Sequence, residues 1–206
     1  MEGGMLLTAL FTTMGTIFVT ELTDKDALFL LALATKTKPS VVFAAGSIAF
    51  TITTAIIVLV GSVLIAFVPV VAIKLAGGAI MLGYAALEYY RFSSEERQVD
   101  EREERVLGKQ GRSARSIFFP ALLTLIALDL AGDATELVTV VLLAHFKDLL
   151  VVFSGSVVGL VGATAVETVL GNRLGKVLSR RRIKYLSIVI FLTIGTTVIV
   201  TSLLGM

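Results

Sequence analysis

The sequence contains no cysteine and only one histidine among its 206 residues. Without cysteine, the chain can form neither a disulfide nor a metal site with thiolate ligands. The single histidine also argues against a zinc or copper centre, because these metals favour imidazole and thiolate ligands. The sequence therefore favours a metal site built from oxygen donors.

Charged residues are scarce as well. Asp, Glu, Lys and Arg make up 17% of the chain, and apolar residues make up 56%. A soluble globular domain has about 25% charged and about 45–50% apolar residues. Several apolar runs also reach the roughly 20 residues that a helix needs to cross a bilayer. The composition excludes an ordinary soluble domain and predicts an all-α integral membrane protein.

Six apolar segments predict six transmembrane helices. The backbone of a lipid-exposed segment must satisfy its own hydrogen bonds, and the runs do not alternate as the strands of a membrane barrel do. The N-terminal residues lack the basic region of a signal peptide, so we expect the first segment to be a retained span. Acidic residues should interrupt the first and fourth spans. The predicted spans are residues 5–35, 40–67, 70–90, 117–144, 149–170 and 185–204.

The basic residues predict an orientation. Fifteen of the 18 lysine and arginine residues fall in the loops after the first, third and fifth spans. The positive-inside rule places these loops in the cytoplasm. Both termini are then expected outside, in the plasma membrane if the protein is prokaryotic. Membrane lipid is an expected partner, nucleic acid is not, and a homo-oligomer stays open.

The two halves of the chain resemble each other. When Asp24 is aligned with Asp133, Gly46-Ser47 falls on Gly155-Ser156. The halves would start on opposite sides of the membrane, which predicts two inverted three-helix repeats, a common plan for secondary transporters. The predicted division is a first repeat (1–91), a charged cytoplasmic linker (92–116) and a second repeat (117–206).

Acidic residues lie inside two of the predicted spans. A charged group at the centre of a membrane helix costs at least roughly 2.5–3.5 kcal/mol, so such residues usually have a function. Helical spacing would place Glu21 beside Asp24 and Lys25, with Asp26 on another face. The same spacing would form one acidic stripe in the fourth span, comprising Asp129, Asp133 and Glu136.

These acids outnumber the lysine beside them. Lys25 can neutralise only one carboxylate, so the surplus negative charge favours a cation site over a set of internal ion pairs. Glu167, a lone acid in the fifth span, is either a partner of these acids or extends toward cytoplasmic water. The predicted metal ligands are Glu21, Asp24, Asp129, Asp133 and Glu136. The predicted supporting or proton-coupling residues are Lys25, Asp26, Thr20, Thr23 and Thr135.

The available donors narrow the choice of ion. Carboxylates, threonine hydroxyls and backbone carbonyls are hard ligands that suit Ca²⁺, Mn²⁺ or Mg²⁺. Crowded carboxylates are sensitive to protons and can exchange a proton for a metal ion. Export of a divalent cation against an inside-negative potential costs roughly 4.6 kcal/mol per 100 mV, so it needs a coupled ion. Proton antiport is the simplest coupling, and no resident cofactor is expected.

Two short segments carry a family resemblance. Residues 21–26 read Glu-Leu-Thr-Asp-Lys-Asp and residues 130–135 read Leu-Ala-Gly-Asp-Ala-Thr. They resemble the Glu-x-Gly-Asp-Lys-Ser/Thr signature that occurs in each half of the calcium/manganese:proton antiporters of the Golgi and thylakoid type. This family, also called uncharacterised protein family sixteen, belongs to the lysine-exporter superfamily. The resemblance implies that the chain is a divergent member and that Glu21, Asp24 and Asp133 bind the cation.

The chain departs from this signature in both copies. Thr23 replaces Gly and Asp26 replaces Ser/Thr in the first copy; Leu130 replaces Glu and Ala134 replaces Lys in the second. The neighbouring acids Asp129 and Glu136 are candidates to supply the missing carboxylate.

Other functions fit the sequence less well. A passive cation channel, or an exporter of another cation or small solute, stays open as an alternative. Ala131-Gly132-Asp133 resembles part of the Gly-x-Gly-Asp motif of intramembrane aspartyl proteases, but the first Gly is Leu130 and no Tyr-Asp partner motif is present. We therefore predict a transporter of Ca²⁺ and/or Mn²⁺ and not an enzyme.

Overall fold

The computed structural model describes residues 2–22, 24–90, 102, 105–107, 114–130, 134–174 and 180–204, and these residues contain no strand. Helices dominate the described residues, as the composition predicts. In chain order they are α1 (Glu2–Glu21), α2 (Lys25–Lys36), α3 (Pro39–Phe67), α4 (Val70–Tyr90), α5 (Ala114–Asp129), α6 (Ala134–Phe146), α7 (Leu149–Leu174) and α8 (Arg180–Leu203).

The first and fourth predicted spans are each broken in two. After α1 ends at Glu21, the amide of Asp24 donates to the carbonyl of Glu21 at 3.0 Å, which forms a turn before α2 begins. α5 ends at Asp129, and α6 begins only at Ala134. The residues between the helices include Thr, Asp and Gly, which are poor helix formers. Both breaks fall at the acidic segments that interrupt the apolar runs of the sequence.

The breaks correct one expectation. Glu21 and Asp24 do lie close together, since both carboxylates are within reach of the Thr135 hydroxyl. The continuous helix that was expected to bring them together is wrong, because α1 ends at Glu21 and α2 begins at Lys25. The single acidic stripe of the fourth span is wrong for the same reason, since Asp129 ends one helix and Glu136 belongs to the next. Asp133, the middle residue of that stripe, lies outside the described residues.

The unbroken spans lie close to their predicted bounds. α3 begins at Pro39, a favourable first residue for a helix, and stops at Phe67 before the extended Val68. α7 and α8 each continue into basic segments that the hydropathy pattern excluded, to Leu174 and from Arg180. Arginine is a good helix former, so a polar segment is no reason for a helix to end.

The helix lengths fit a membrane protein. Among the described residues, α1, α3, α4 and α7 are long and apolar enough to cross a bilayer, whereas α5, α6 and α8 contain shorter apolar stretches. Many large apolar side chains also lie on the outside, with Leu59, Phe67 and Leu123 more than half exposed. An apolar exterior of this kind is expected where lipid replaces water.

α3 and α7 organise the packing. α7 packs against α1, α2 and α3, and α3 packs against α5, α6 and α7, while α4 pairs with α8. α7 approaches its neighbours closely: a Cβ on Gly159 would lie 2.7 Å from the Met14 carbonyl oxygen of α1, and one on Gly171 would lie 2.6 Å from that of Leu31 in α2. The two broken helix pairs are thus held against α3 and α7.

Candidate cation site

The two helix breaks meet at a threonine. The Thr135 hydroxyl, in the first turn of α6, lies 3.1 Å from Glu21 Oε2 and 3.5 Å from Asp24 Oδ2 and can donate its hydrogen to either. Glu21 is the last residue of α1, and Asp24 directly precedes α2. All three side chains are buried. A residue of the second half therefore contacts both motif acids of the first.

The helix termini favour negative charge at this place. α2 begins directly after Asp24, and α6 begins one residue before Thr135. The first amide groups of a helix carry a partial positive charge that stabilises a nearby carboxylate. The fold can therefore hold Asp24, which directly precedes α2, as an anion more cheaply than the middle of a continuous helix could.

A second polar group surrounds Asp129. The Thr53 hydroxyl of α3 donates to Asp129 Oδ2, and both side chains are buried. Beside them lies a cavity of about 10 Å³, the space that the centre of one water molecule needs. Thr54, Asp129, Glu136 and Thr139 supply its polar lining, and Thr135 also borders it. Thr135 thus connects the Glu21–Asp24 pair to the Asp129 group.

The remaining predicted residues vary in position. Asp26 is fully buried, and Thr20 is buried with its hydroxyl donating to the Thr16 carbonyl of its own helix at 2.8 Å. Thr23, Asp133 and the side chain of Lys25 lie outside the described residues. Among the acids and the histidine that the structure does describe, no three are grouped closely enough to hold a metal ion. The described part of the candidate site therefore consists of the Glu21–Asp24 pair, the acids Asp129 and Glu136, and threonine hydroxyls.

His145 is remote from these acids. It lies ten residues beyond Thr135 on α6, about 15 Å along the helix axis. Its Nδ1 atom is 3.1 Å from Lys74 Nζ, and the ring is exposed. This position agrees with a site that uses oxygen donors only.

Two residues near the acids come from helices that carry no signature motif. Thr53 of α3 was missed, because one more threonine in an apolar run is no signal. Glu167 of α7 was noticed as a lone acid, but the alternative that it extends toward water is wrong, since it is only 1% exposed. Glu167 instead lies on the part of α7 that packs against α1 and α2, the two helices that flank Asp24.

Comparison with known proteins adds one finding. A family model described as divalent cation/proton antiporter GDT1 matches residues 9–96 and 117–205. The two matched stretches include every described residue of the site. No curated protein and no solved structure matches the chain.

Proposed function

The chain belongs to the GDT1 family of divalent cation/proton antiporters, and from this premise we propose that it exports Ca²⁺, Mn²⁺ or both from the cytoplasm in exchange for protons. Membership makes the chain a transporter by class rather than an enzyme. The proposal adds the ion, the direction and the residues. One observation carries it: Thr135 of the second half contacts both Glu21 and Asp24 of the first.

The donors support the choice of ions. Glu21, Asp24, Asp129 and the hydroxyl of Thr135 are buried hard oxygen ligands. Ca²⁺ and Mn²⁺ both accept such ligands, whereas zinc and copper favour the thiolates and imidazoles that this region does not offer. In our proposal, Asp133 and Glu136 complete the binding set, and Lys25 and Asp26 balance its charge.

The packing supports an architecture of two inverted three-helix repeats with six spans. α1–α2 and α5–α6 would each be one broken span. α3 packs on both pieces of the second broken span, and α7 packs on both pieces of the first. Each half thus contributes one helix that packs on the broken span of the other half, as a twofold relation between the repeats requires. The two stretches that match the family are also nearly equal in length.

Transport then follows from competition at the carboxylates. A divalent cation reaching the breaks from the cytoplasm replaces protons on Glu21, Asp24 and the acids of the second half. Burial makes the exchange tight, because charges attract strongly where water is excluded. When the site opens outward, incoming protons displace the cation. Each proton that moves inward supplies roughly 2.3 kcal/mol per 100 mV, so an exchange of two protons offsets the roughly 4.6 kcal/mol per 100 mV that exporting a divalent cation costs.

Flux in proteoliposomes tests this proposal. Vesicles would contain Ca²⁺- or Mn²⁺-sensitive dyes, and a pH gradient would be imposed across them. We expect cation movement to follow the proton gradient and to reverse when the gradient is reversed. Asp24→Asn and Asp133→Asn should each lower the rate to less than roughly a tenth of wild type, since neutralising a metal ligand usually costs at least a factor of ten.

Asp148→Asn is the matched control. Asp148 Oδ1 accepts a hydrogen bond from the Val151 amide at 3.0 Å at the start of α7, and Asn preserves such a cap. This variant should transport at the wild-type rate. Wild-type flux in a folded Asp24→Ala/Asp133→Ala double variant would contradict the proposal. Flux that follows voltage but ignores protons would indicate a channel, and flux of neither ion would indicate another solute.

A further inference from the structure

Glu167 is an acid in α7 that no signature motif includes. It is 1% exposed, and neither carboxylate oxygen has a hydrogen-bond partner among the described residues. A buried carboxylate without partners is costly, by several kcal/mol when it is charged. We expect a buried, unpartnered carboxylate such as Glu167 to be retained only where it interacts with a ligand.

The contacts of α7 place Glu167 beside the first helix break. A Cβ on Gly162 would lie 3.4 Å from the Phe18 ring of α1, and one on Gly171 would contact Leu31 of α2. Between these two contacts, α7 runs past the break that separates α1 from α2. Glu167 lies in this interval, one turn before Gly171 and on the same face of α7. This agrees with its electrostatic repulsion of Asp24.

We propose that Glu167 is a third carboxylate that acts on the cation held by Glu21 and Asp24, and that it sets the affinity of this site. The inference rests on the function proposed above. The described acids do not form a ready group of three around one point. Glu167 therefore acts mainly through its charge, which reaches over several ångström where water is excluded. A divalent cation beside Asp24 turns their repulsion into a shared attraction.

The first half offers no counterpart to this acid at the matching position of α3. In the alignment that superposes Asp24 on Asp133, Glu167 falls on Val58, which is equally buried. The two breaks therefore differ in charge. Glu167 adds a negative charge to the first break, where the signature keeps its Glu, Asp and Lys.

Equilibrium binding to the purified full-length protein tests the inference. Mn²⁺ binding would be measured by electron paramagnetic resonance and Ca²⁺ binding by calorimetry, for wild type and Glu167→Gln. We expect Glu167→Gln to raise both Kd values by about 10- to 100-fold, the range seen when charged groups around a metal are removed. Glu167→Asp keeps the charge, so its Kd values should lie between those of wild type and those of Glu167→Gln.

The Gln variant separates this role from simple packing. Gln closely mimics a protonated glutamate, so an acid that only fills space would leave both Kd values unchanged, and that result would overturn the inference. Ser156→Ala is the control, because Ser156 is fully buried on α7 and its hydroxyl has no partner among the described residues. It should bind both ions as wild type does.

Two further outcomes are decisive. Should Glu167→Gln fail to fold, Glu167→Asp carries the test, because moving the charge by one methylene should change the ratio of the Mn²⁺ and Ca²⁺ affinities. An unchanged ratio with unchanged affinities would again overturn the inference. A wild-type protein that binds neither ion would contradict the proposed function itself, whereas equal binding by wild type and Glu167→Gln contradicts only the role of Glu167.

Discussion

At the scale of single residues, Thr135 is the contact between the two halves of the site. Its hydroxyl lies within hydrogen-bonding distance of both Glu21 and Asp24. Valine has nearly the same shape but no hydroxyl, so Thr135→Val removes this contact and one oxygen ligand. We expect the KM for the transported cation to rise roughly tenfold, the effect of losing one hydrogen bond to a charged group. Thr135→Ser should restore most of the affinity.

Thr164→Val is the control for this substitution. Thr164 is fully buried, and its hydroxyl donates to the Leu160 carbonyl of its own helix at 2.8 Å. Thr164→Val therefore makes the same chemical change in a comparable environment, but the hydroxyl that it removes bonds to a backbone carbonyl and not to a carboxylate. Initial rates in proteoliposomes over a range of cation concentrations would measure both variants. Equal KM values for the two would show that the Thr135 hydroxyl does not bind or position the ion.

Individual acids could be found from the sequence because a charge within an apolar run is conspicuous. Glu21, Asp24 and Asp129 are buried where hydropathy placed them. Their partners could not be found in this way. Thr53 is 76 residues from Asp129, and Thr135 is 114 residues from Glu21. Neither pairing leaves a local pattern, because it depends on how the helices pack.

At the scale of helices, the acidic residues mark the places where the first and fourth spans break, but the sequence did not predict that the helices end there. Arguments from helical spacing assume a continuous helix, and the turn at Asp24 shows that the helix is not continuous there. The same turn frees backbone groups that a cation site can use, and such backbone is tolerated in a membrane only where protein covers it. The packing of α7 beside α1 and α2 provides that cover.

Gly159 is the residue that allows α7 to lie this close to α1. A Cβ there would lie 2.7 Å from the Met14 carbonyl oxygen and 3.1 Å from the Phe18 nitrogen, and backbone atoms cannot move aside easily. We expect Gly159→Ala to lower the free energy of unfolding by about 1–3 kcal/mol, the usual cost of overpacking. Thermal unfolding in detergent, followed by circular dichroism, would measure the change.

Gly15→Ala provides the comparison within α1. Nothing lies within 4 Å of a Cβ at this position. Alanine is the better helix former, so this substitution should stabilise the protein by about 0.5–1 kcal/mol. Opposite signs for the two substitutions would identify the α1–α7 contact as the cause. If both variants unfolded like wild type, the close approach of these helices would be contradicted.

At the scale of the whole molecule, the proposed architecture depends on the inverted relation between the halves. The distribution of Lys and Arg among the loops predicts this relation. The packing agrees with it, because α3 packs on α5 and α6 in the same way that α7 packs on α1 and α2. Helix packing alone cannot distinguish inside from outside, because the contacts would be the same in either orientation. The orientation therefore needs a measurement on the protein in a membrane.

Lys38 and Lys147 give that measurement. The alignment of Asp24 with Asp133 also places Lys38 on Lys147, and both residues are exposed at the end of a broken span. If the repeats are inverted, these equivalent positions lie on opposite sides of the membrane.

The chain has no cysteine, so single variants Lys38→Cys and Lys147→Cys carry no background thiol. A membrane-impermeant maleimide applied to intact cells should label Lys147→Cys at once and Lys38→Cys only after the membrane is opened. Labelling of both from the same side would show that the halves run parallel, and a site between inverted repeats would then have to be abandoned.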